Sequence, residues 1–410
     1  MKLSNVRGMR DLVGLDALLQ KKVESNFENV FTKYGYAPLY TPAVENFDLF
    51  KIKGAAGDAI KNEIYYFKDK SDRELGLRFE FTASLARVAA TTQLKLPYKR
   101  YQIGEVYRYD RPQAKRYRAF NQADIDILGV PGLGAEIEVM KIIKDCFNSL
   151  DLKPKVIFNS RKLLNDLFTK FAKGKEVEAM RILDKIDKIG DIAVKEMLKV
   201  EGIDERVVDV IKKNSVEELK KILGESDGIK EVNEFLEKCK EEGLEFIEFN
   251  ASLARGFDYY TGIVFEIKLD AGPSVGGGGR YDNLIKTYGG RDTPAVGIGL
   301  GVSRIFDYLK ENNVKNVVNG MFLVNLTKET KKVNDFASRL REIDVICETD
   351  LKNFKLAKAF EYAEKKGYRI VGIIGDDELA SNKITIKNLL NGIKFQVDLN
   401  AEKIKDLLSN

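Results

Sequence analysis

Between residues 15 and 34 the apolar side chains Leu15, Leu18, Leu19, Val23, Phe27, Val30, Phe31 and Tyr34 recur at the i, i+3, i+4 spacing of one helix face, and Gly35 ends the run. The spacing predicts an amphipathic helix at the start of the fold. Strand-like runs follow around Pro42, at 63–68 and at 75–81, the last two joined by the polar turn Asp69-Lys70-Ser71-Asp72. Thr82 is the expected N-cap of a helix over 83–94. Residues 99–109 and 118–129 read as two long strands joined by the charged, proline-marked segment 110–117, which makes a hairpin with a basic tip. Alternation along the second strand sends Ala119, Asn121, Ala123, Ile125 and Ile127 to one face and Phe120, Gln122, Asp124, Asp126 and Leu128 to the other. The first face is mostly apolar and the second is unusually polar.

From 164 to 242 the pattern turns helical and strongly charged, which predicts a helical module between two strand-rich parts. Strands resume at 244–250 and 257–269. The even positions of the latter carry Asp258, Tyr260, Gly262 and Glu266, and its odd positions Phe257, Tyr259, Ile263, Phe265 and Ile267 read as core. The four-glycine run 276–279 reads, taken alone, as a flexible loop. A glycine-punctuated strand then leads into a helix at 303–309. Together the strands are expected to complete one large antiparallel sheet. Beyond the polar stretch 310–316, the apolar runs 321–326, 343–347 and 368–374 alternate with helical segments at 331–341 and 351–366, the pattern of a small α/β domain.

Composition narrows the chemistry. A chain of 410 residues holds two or three domains on ordinary size grounds. Lys and Arg number 68 against 63 Asp and Glu, a net charge of +5, so contact with nucleic acid has to come from local patches and not from a bulk basic field. Histidine is absent, which removes Ser-His-Asp hydrolysis, Cys-His nucleophiles and His-ligated zinc. Cys146, Cys239 and Cys347 lie too far apart for a C-x-x-C pair and read as core residues of a reducing compartment. No stretch of 18 apolar residues and no signal-peptide pattern occurs, so a soluble, cytoplasmic protein with no membrane contact is expected.

Two segments concentrate polar chemistry. On the hairpin, Arg108, Arg111, Lys115, Arg116 and Arg118 stand beside the polar strand face with Gln122 and Asp126. Arginines suit polyphosphate, and carboxylates suit an ammonium group. In Arg255-Gly256-Phe257-Asp258-Tyr259-Tyr260-Thr261-Gly262, a cation precedes a strand face with Asp258 and Tyr260. Gly297-Ile298-Gly299-Leu300-Gly301 places its third glycine too early for a dinucleotide fingerprint; these glycines suit close approach of a ligand or another backbone, with Arg304 on the following helix.

On these residues the chain resembles the histidyl-tRNA synthetases, members of the class II aminoacyl-tRNA synthetases. The resemblance runs from Arg7-Gly8-Met9-Arg10-Asp11 through the C-terminal domain. Residues 34–45 resemble class II motif 1, a dimer-interface element; 107–120 resemble motif 2; 297–304 resemble motif 3. Leu77-Arg78-Phe79-Glu80-Phe81-Thr82, residues 255–262 and Gly278-Gly279-Arg280-Tyr281-Asp282 resemble the histidine-specific signatures.

The resemblance implies an α+β catalytic domain of the class II synthetase fold, built on an antiparallel sheet (1–164 and 243–315). It also implies a helical insertion (165–242) that contacts the tRNA acceptor arm and an α/β anticodon-binding domain (319–410). The implied activity joins L-histidine to histidine tRNA through histidyl-adenylate, with ATP as substrate, Mg²⁺ bridging phosphate oxygens, and a homodimer as the working form. Glu80, Thr82 and Gln122 would hold the ammonium group, Asp126 and Tyr260 the imidazole, and Tyr281 would line the pocket. Arg108 would grip the α-phosphate, Phe120 stack on adenine, and Arg116 and Arg304 bind the outer phosphates, with Asp110 among the ATP-binding residues. Arg255 would stabilise charge on the α-phosphate during attack. Gln113 would lie near the 5′ end of the tRNA.

The chain departs from the family pattern at Phe79, where many members have Pro, at Asp126, often Glu, and at Phe257, often Leu. A rival reading is a non-catalytic relative that regulates ATP phosphoribosyltransferase; such proteins generally lack the last domain and erode the 255–262 signature. With no protein imidazole and with carboxylates titrating lower, the substrate ring is, apart from phosphate ionisations, the group expected to titrate near 6.5, so a limb of the pH profile between about pH 5.5 and 7.5 should travel with the ligand.

Overall fold

The computed structural model describes residues 3–52, 63–109, 116–254, 259–270, 272–314 and 317–409. The chain divides into two units, residues 1–11 with 20–308 and residues 12–19 with 309–410.

The strands of the first unit are β1 (Ala37–Pro38), β2 (Val44–Asn46), β3 (Tyr66–Lys68), β4 (Glu74–Leu77), β5 (Tyr98–Tyr107), β6 (Ala119–Leu128), β7 (Lys155–Ser160), β8 (Ile247–Phe249), β9 (Ile263–Lys268), β10 (Gly276–Arg280) and β11 (Ala295–Leu300). Eight of them form one sheet in the order β1-β5-β6-β11-β10-β9-β7-β8, and β2, β4 and β3 form a small sheet of their own. The centre of the large sheet is antiparallel as expected, but its two edges are not: β1 pairs with β5, and β8 with β7, in parallel. Parallel neighbours need a long crossover. The helical run between β7 and β8 supplies one, and the segment carrying the small sheet supplies the other.

The apolar face of β6 is covered by helices. Ala123, Ile125 and Ile127 are buried. The opening helix Leu15–Lys33 sets Phe31 against Tyr101 of β5, ring centroids 5.8 Å apart, and Phe27 against Phe147 of the helix Gly134–Asn148 at 6.2 Å. The polar face is left for the site.

Local departures from the sequence pattern have simple causes. The helix expected over 83–94 is Thr82–Thr91, and Thr82 is not its cap; the carboxylate of Glu80 accepts from the backbone N–H groups of Thr82 and Ala83. The strand expected over 257–269 begins at Ile263, after an irregular segment at 259–262, so Tyr260 is carried by a loop and not by a strand. The glycine run 276–279 is a strand, β10, in the middle of the sheet, where close backbone contact replaces side-chain packing.

Six helices from Arg161–Ala172 to Asp227–Glu241 make up the helical run between β7 and β8. The hydroxyls of Ser160, Ser215 and Ser226 cap three of them. Its first and last helices touch at Gly228, where a Cβ would lie 2.3 Å from the backbone of Leu163.

The second unit holds β12 (Val318–Asn325), β13 (Ile346–Thr349), β14 (Tyr368–Ile374), β15 (Lys383–Asn388) and β16 (Lys394–Asp398), ordered β13-β12-β14-β15-β16, with the first three parallel. Met321 and Leu323 pack to one side with Phe336 and Ile404, while Phe322 and Val324 pack to the other with Ala359 and Ala363. This two-sided burial produces the unbroken apolar runs seen in the sequence. The helix expected over 351–366 starts at Leu356, because the Asp350 carboxylate holds the N–H groups of Lys352 and Phe354 in a loop.

Candidate active site

The polar face of the sheet is organised in cross-strand rows. Residues directly opposite each other in antiparallel strands share a face. One row runs Arg100 (β5), Asp126 (β6), Gly297 (β11), Gly279 (β10); the next runs Gln102, Asp124, Gly299, Gly277 and then Glu266 on β9. The acids of β6 therefore face bare backbone. A Cβ on Gly297 would lie 1.9 Å from Oδ1 of Asp126, and one on Gly299 would lie 2.9 Å from Nε2 of Gln122. The glycines of β10 and β11 make the room into which these side chains fold.

One cleft on this face is lined by Glu80, Thr82, Arg108, Phe120, Gln122, Asp126, Tyr260, Tyr281 and Arg304, together with Asp124, Tyr259, Glu266 and backbone of the β10 and β11 glycines. A neighbouring cavity shares Glu266, Ser274 and Arg304 with it and adds Arg116 and, from the helical insertion, Leu183, Asp184 and Ile186. Arg255, Asp110 and Gln113 lie outside the described residues. So do Phe257 and Asp258.

Glu80 is positioned by its capping bonds and remains 8% exposed, and each of its oxygens keeps a further acceptor site. Phe79, the departure from the family pattern, turns away from the cleft into a cluster with Leu49, Phe50, Ile64 and Ala83, and its carbonyl accepts from Nε of Arg108 at 3.1 Å. The Arg108 guanidinium stands 5.1 Å from the Phe120 ring centre. Gln122 ends in a buried Oε1 with no hydrogen-bond partner among the described residues, an acceptor open to a donor in the cleft. Arg304 donates from Nη1 to the Ser274 carbonyl at 2.5 Å.

Asp126 is 3% exposed. Its Oδ1 accepts from the Tyr281 hydroxyl, and its Oδ2 lies 2.5 Å from Nη2 of Arg100. Burial pushes its carboxyl up to about 6, against the pull of Arg100 and the Tyr281 hydrogen bond. Burial also pushes Asp124 well above the usual carboxylate range, again opposed by Arg100. The expectation that only the substrate ring titrates near 6.5 is thereby corrected. Burial, with a smaller push from Glu80, brings a protein carboxylate into the same window.

Sequence reasoning passed over three contributors. Tyr259, assigned to core, lines the cleft between Tyr260 and Tyr281, with ring centroids at 4.8 and 5.8 Å. Asp124 stood on the polar face without a role. Arg100, fully buried, was not singled out; its one signal was the hairpin register that sets it opposite Asp126.

An antiparallel sheet whose polar face offers arginines and carboxylates in one cleft, with a separate α/β unit after it, is the architecture of a class II aminoacyl-tRNA synthetase. The family model for histidyl-tRNA synthetase matches residues 8–305, and that for an anticodon binding domain matches residues 320–409. A histidine–tRNA ligase of Bacillus cereus is 34% identical, with 98% of this chain and 99% of that protein covered. The crystal structure of histidyl-tRNA synthetase from Nostoc sp. PCC 7120 superposes with a TM-score of 0.85 at 26% identity over 99% of this chain and 100% of that one. A Bacillus halodurans structure described as an ATP phosphoribosyltransferase regulatory subunit/histidyl-tRNA synthetase shares the fold, with a TM-score of 0.76 at 19% identity over 91% of this chain and 97% of that one. The chain belongs to the histidyl-tRNA synthetase family.

Proposed function

We propose that this chain is a histidine–tRNA ligase that forms histidyl-adenylate from L-histidine and ATP and passes the histidyl group to the 3′-terminal ribose of its tRNA. The observation that carries the reading is the single cleft, in a chain of this family, that holds acceptors for an ammonium group, an acid and tyrosines for a ring, and arginines for phosphate. Glu80, Thr82 and Gln122 take the ammonium; the unpartnered Gln122 oxygen supports this. Asp126 and Tyr260 read the imidazole, and Tyr281 lines the pocket and donates to Asp126. Arg108 meets the α-phosphate, Phe120 the adenine, and Arg116 and Arg304 the outer phosphates; Asp110, Arg255 and Gln113 keep the roles that the resemblance implies.

In the first step a histidine carboxylate oxygen attacks the α-phosphorus, the new O–P bond forms as the bond to the β-phosphate oxygen breaks, and pyrophosphate leaves. The nucleophile is already an anion, so orientation and cationic stabilisation suffice and no imidazole base is needed. In the second step a ribose hydroxyl attacks the carbonyl, AMP leaves with the bonding pair, and a phosphate oxygen takes the proton.

Mg²⁺ would neutralise phosphate charge when bound. Among the described residues no group of three or more acids or thiols is set to hold an ion. Phosphate oxygens and water would supply most of its ligands, and Glu266 is a carboxylate of the cleft that fits beside them. The catalytic domain is read as 1–164 with 243–315, the insertion as 165–242 on the acceptor arm, and 319–410 as the anticodon-binding domain. Among the described residues no helix is long and apolar enough to cross a membrane, and a cytoplasmic homodimer is the proposed working form, checked by sedimentation.

Histidine-dependent ATP–pyrophosphate exchange by the pure protein tests the reading. Absence of exchange would favour the regulatory relative, against which the match at 320–409 to an anticodon binding domain already speaks.

A further inference from the structure

Arg100 is fully buried, at 0% exposure, on the strand next to the acids of β6. It shares a cross-strand row and a sheet face with Asp126. Its Nη2 is 2.5 Å from Oδ2 of Asp126, yet none of its guanidinium nitrogens has a hydrogen-bond partner among the described residues. The contact is close but off the direction a hydrogen bond requires, so it acts through charge. Burying a guanidinium without hydrogen bonds costs stability, and an apolar side chain of similar size would fill the same space without that cost. Arg100 does not line the cleft; Asp126 stands between it and the ligand space.

We propose that Arg100 is a positioning residue for histidine recognition: from beneath the cleft it holds Asp126 as a carboxylate turned toward the substrate ring. The inference rests on the reading of Asp126 as the acid that meets the imidazole. While ionised, Asp126 accepts a ring N–H with its full charge and with either oxygen; protonation turns one oxygen into a donor and weakens the other as an acceptor. The charged and titratable groups around it are Arg100 on β5, Asp124 on its own strand, Tyr281 after β10, Glu80 before the helix Thr82–Thr91, and Tyr36 before β1. Burial and Glu80 both disfavour its charge. Arg100 is the cation that opposes them, and without it the proton stays on Asp126 at higher pH.

The site thus fixes ring recognition by two contacts with separate tasks. Tyr281 orients one carboxylate oxygen by a hydrogen bond, and Arg100 keeps the group an acceptor. A merely structural arginine would affect folding, or all substrates alike. A positioning arginine acts on histidine and on its pH dependence while leaving ATP alone.

The test uses full-length protein in the pyrophosphate exchange assay, with kcat/KM for histidine followed from about pH 5.5 to 9 at saturating ATP. In Arg100→Met the acid limb is expected to rise by about one pH unit or more, corresponding to at least about a threefold loss near pH 6.5 that grows toward about tenfold at pH 5.5, with KM for ATP within about twofold of the unaltered protein. Arg100→Lys should give a limb between the two. A limb at the original pH in Arg100→Met, or a matching change in KM for ATP, overturns the proposal. If Arg100→Met does not fold, the neutral Arg100→Gln decides: a raised limb supports the role, and an unmoved limb ends it. Absence of histidine-dependent exchange in the unaltered protein would instead defeat the reading of the site itself, before Arg100 is tested.

Discussion

Gly297 and Asp126 face each other across β11 and β6, and the Asp126 carboxylate occupies the space where a side chain on Gly297 would begin. A Cβ there would lie 1.9 Å from Oδ1. The site's acid can fold onto the sheet only because its neighbour has no side chain.

Gly297→Ala is therefore expected to push the Asp126 carboxylate out of place while leaving the strand paired. A misplacement of about 1 Å costs on the order of 10²-fold, so kcat/KM for histidine in pyrophosphate exchange should fall by about that much. An unchanged value would show that the carboxylate does not read the ring from this position.

Arg255→Ala should lower the rate of adenylate formation by about 10²-fold or more and weaken ATP binding far less, because the lost donor acts on charge that develops during attack. Single-turnover adenylation and equilibrium ATP binding separate the two. Equal changes in both would make Arg255 a ground-state binding residue.

The pH profile has a defined sign. Asp126 is pushed up to about 6, so its ionised form disappears as pH falls through that value. With histidine, the substrate's own ring titrates nearby as well. Triazolylalanine, whose ring is much less basic, removes the second contribution. An acid limb near pH 6 should persist in kcat/KM for the analogue and vanish in Asp126→Asn. A profile that becomes flat with the analogue in the unaltered protein would assign the whole limb to the substrate.

Away from the chemistry, Arg280 donates from Nε to the fully buried Glu136 at 2.7 Å and also meets Asp282 at 3.1 Å. Removing the Glu136 charge leaves a buried guanidinium short of its main partner. Glu136→Gln should cost about 3–5 kcal/mol at neutral pH, the usual penalty for breaking a buried pair, read as a lowered urea midpoint. A loss well under 1 kcal/mol would mean that the Val130 and Gly132 carbonyls, which also accept from Arg280, satisfy it by themselves.

Much of this protein was determined by the order of its residues alone. The helical spacing at 15–34, the alternation at 119–128 and the change to two-sided apolar runs after 316 follow from periods set by local backbone geometry, and each appears in the structure as an element. Arg108, Gln122 and Asp126 stood out because cations and polar groups crowd one hairpin, and Glu80 was reached through the resemblance; all four line one cleft. Tertiary structure decided what depends on register and burial. Glu80, and not Thr82, caps the helix because the chain bends back there. Four glycines that read as a loop became a central strand, since only neighbouring strands could show that close backbone contact was required. Arg100 became part of the site's support, and Asp126 acquired a proton affinity near neutral pH, because pairing across strands brings charges together and excludes water. Neither distance nor desolvation is written in sequence separation: Arg100 and Asp126 are 26 positions apart and within 2.5 Å.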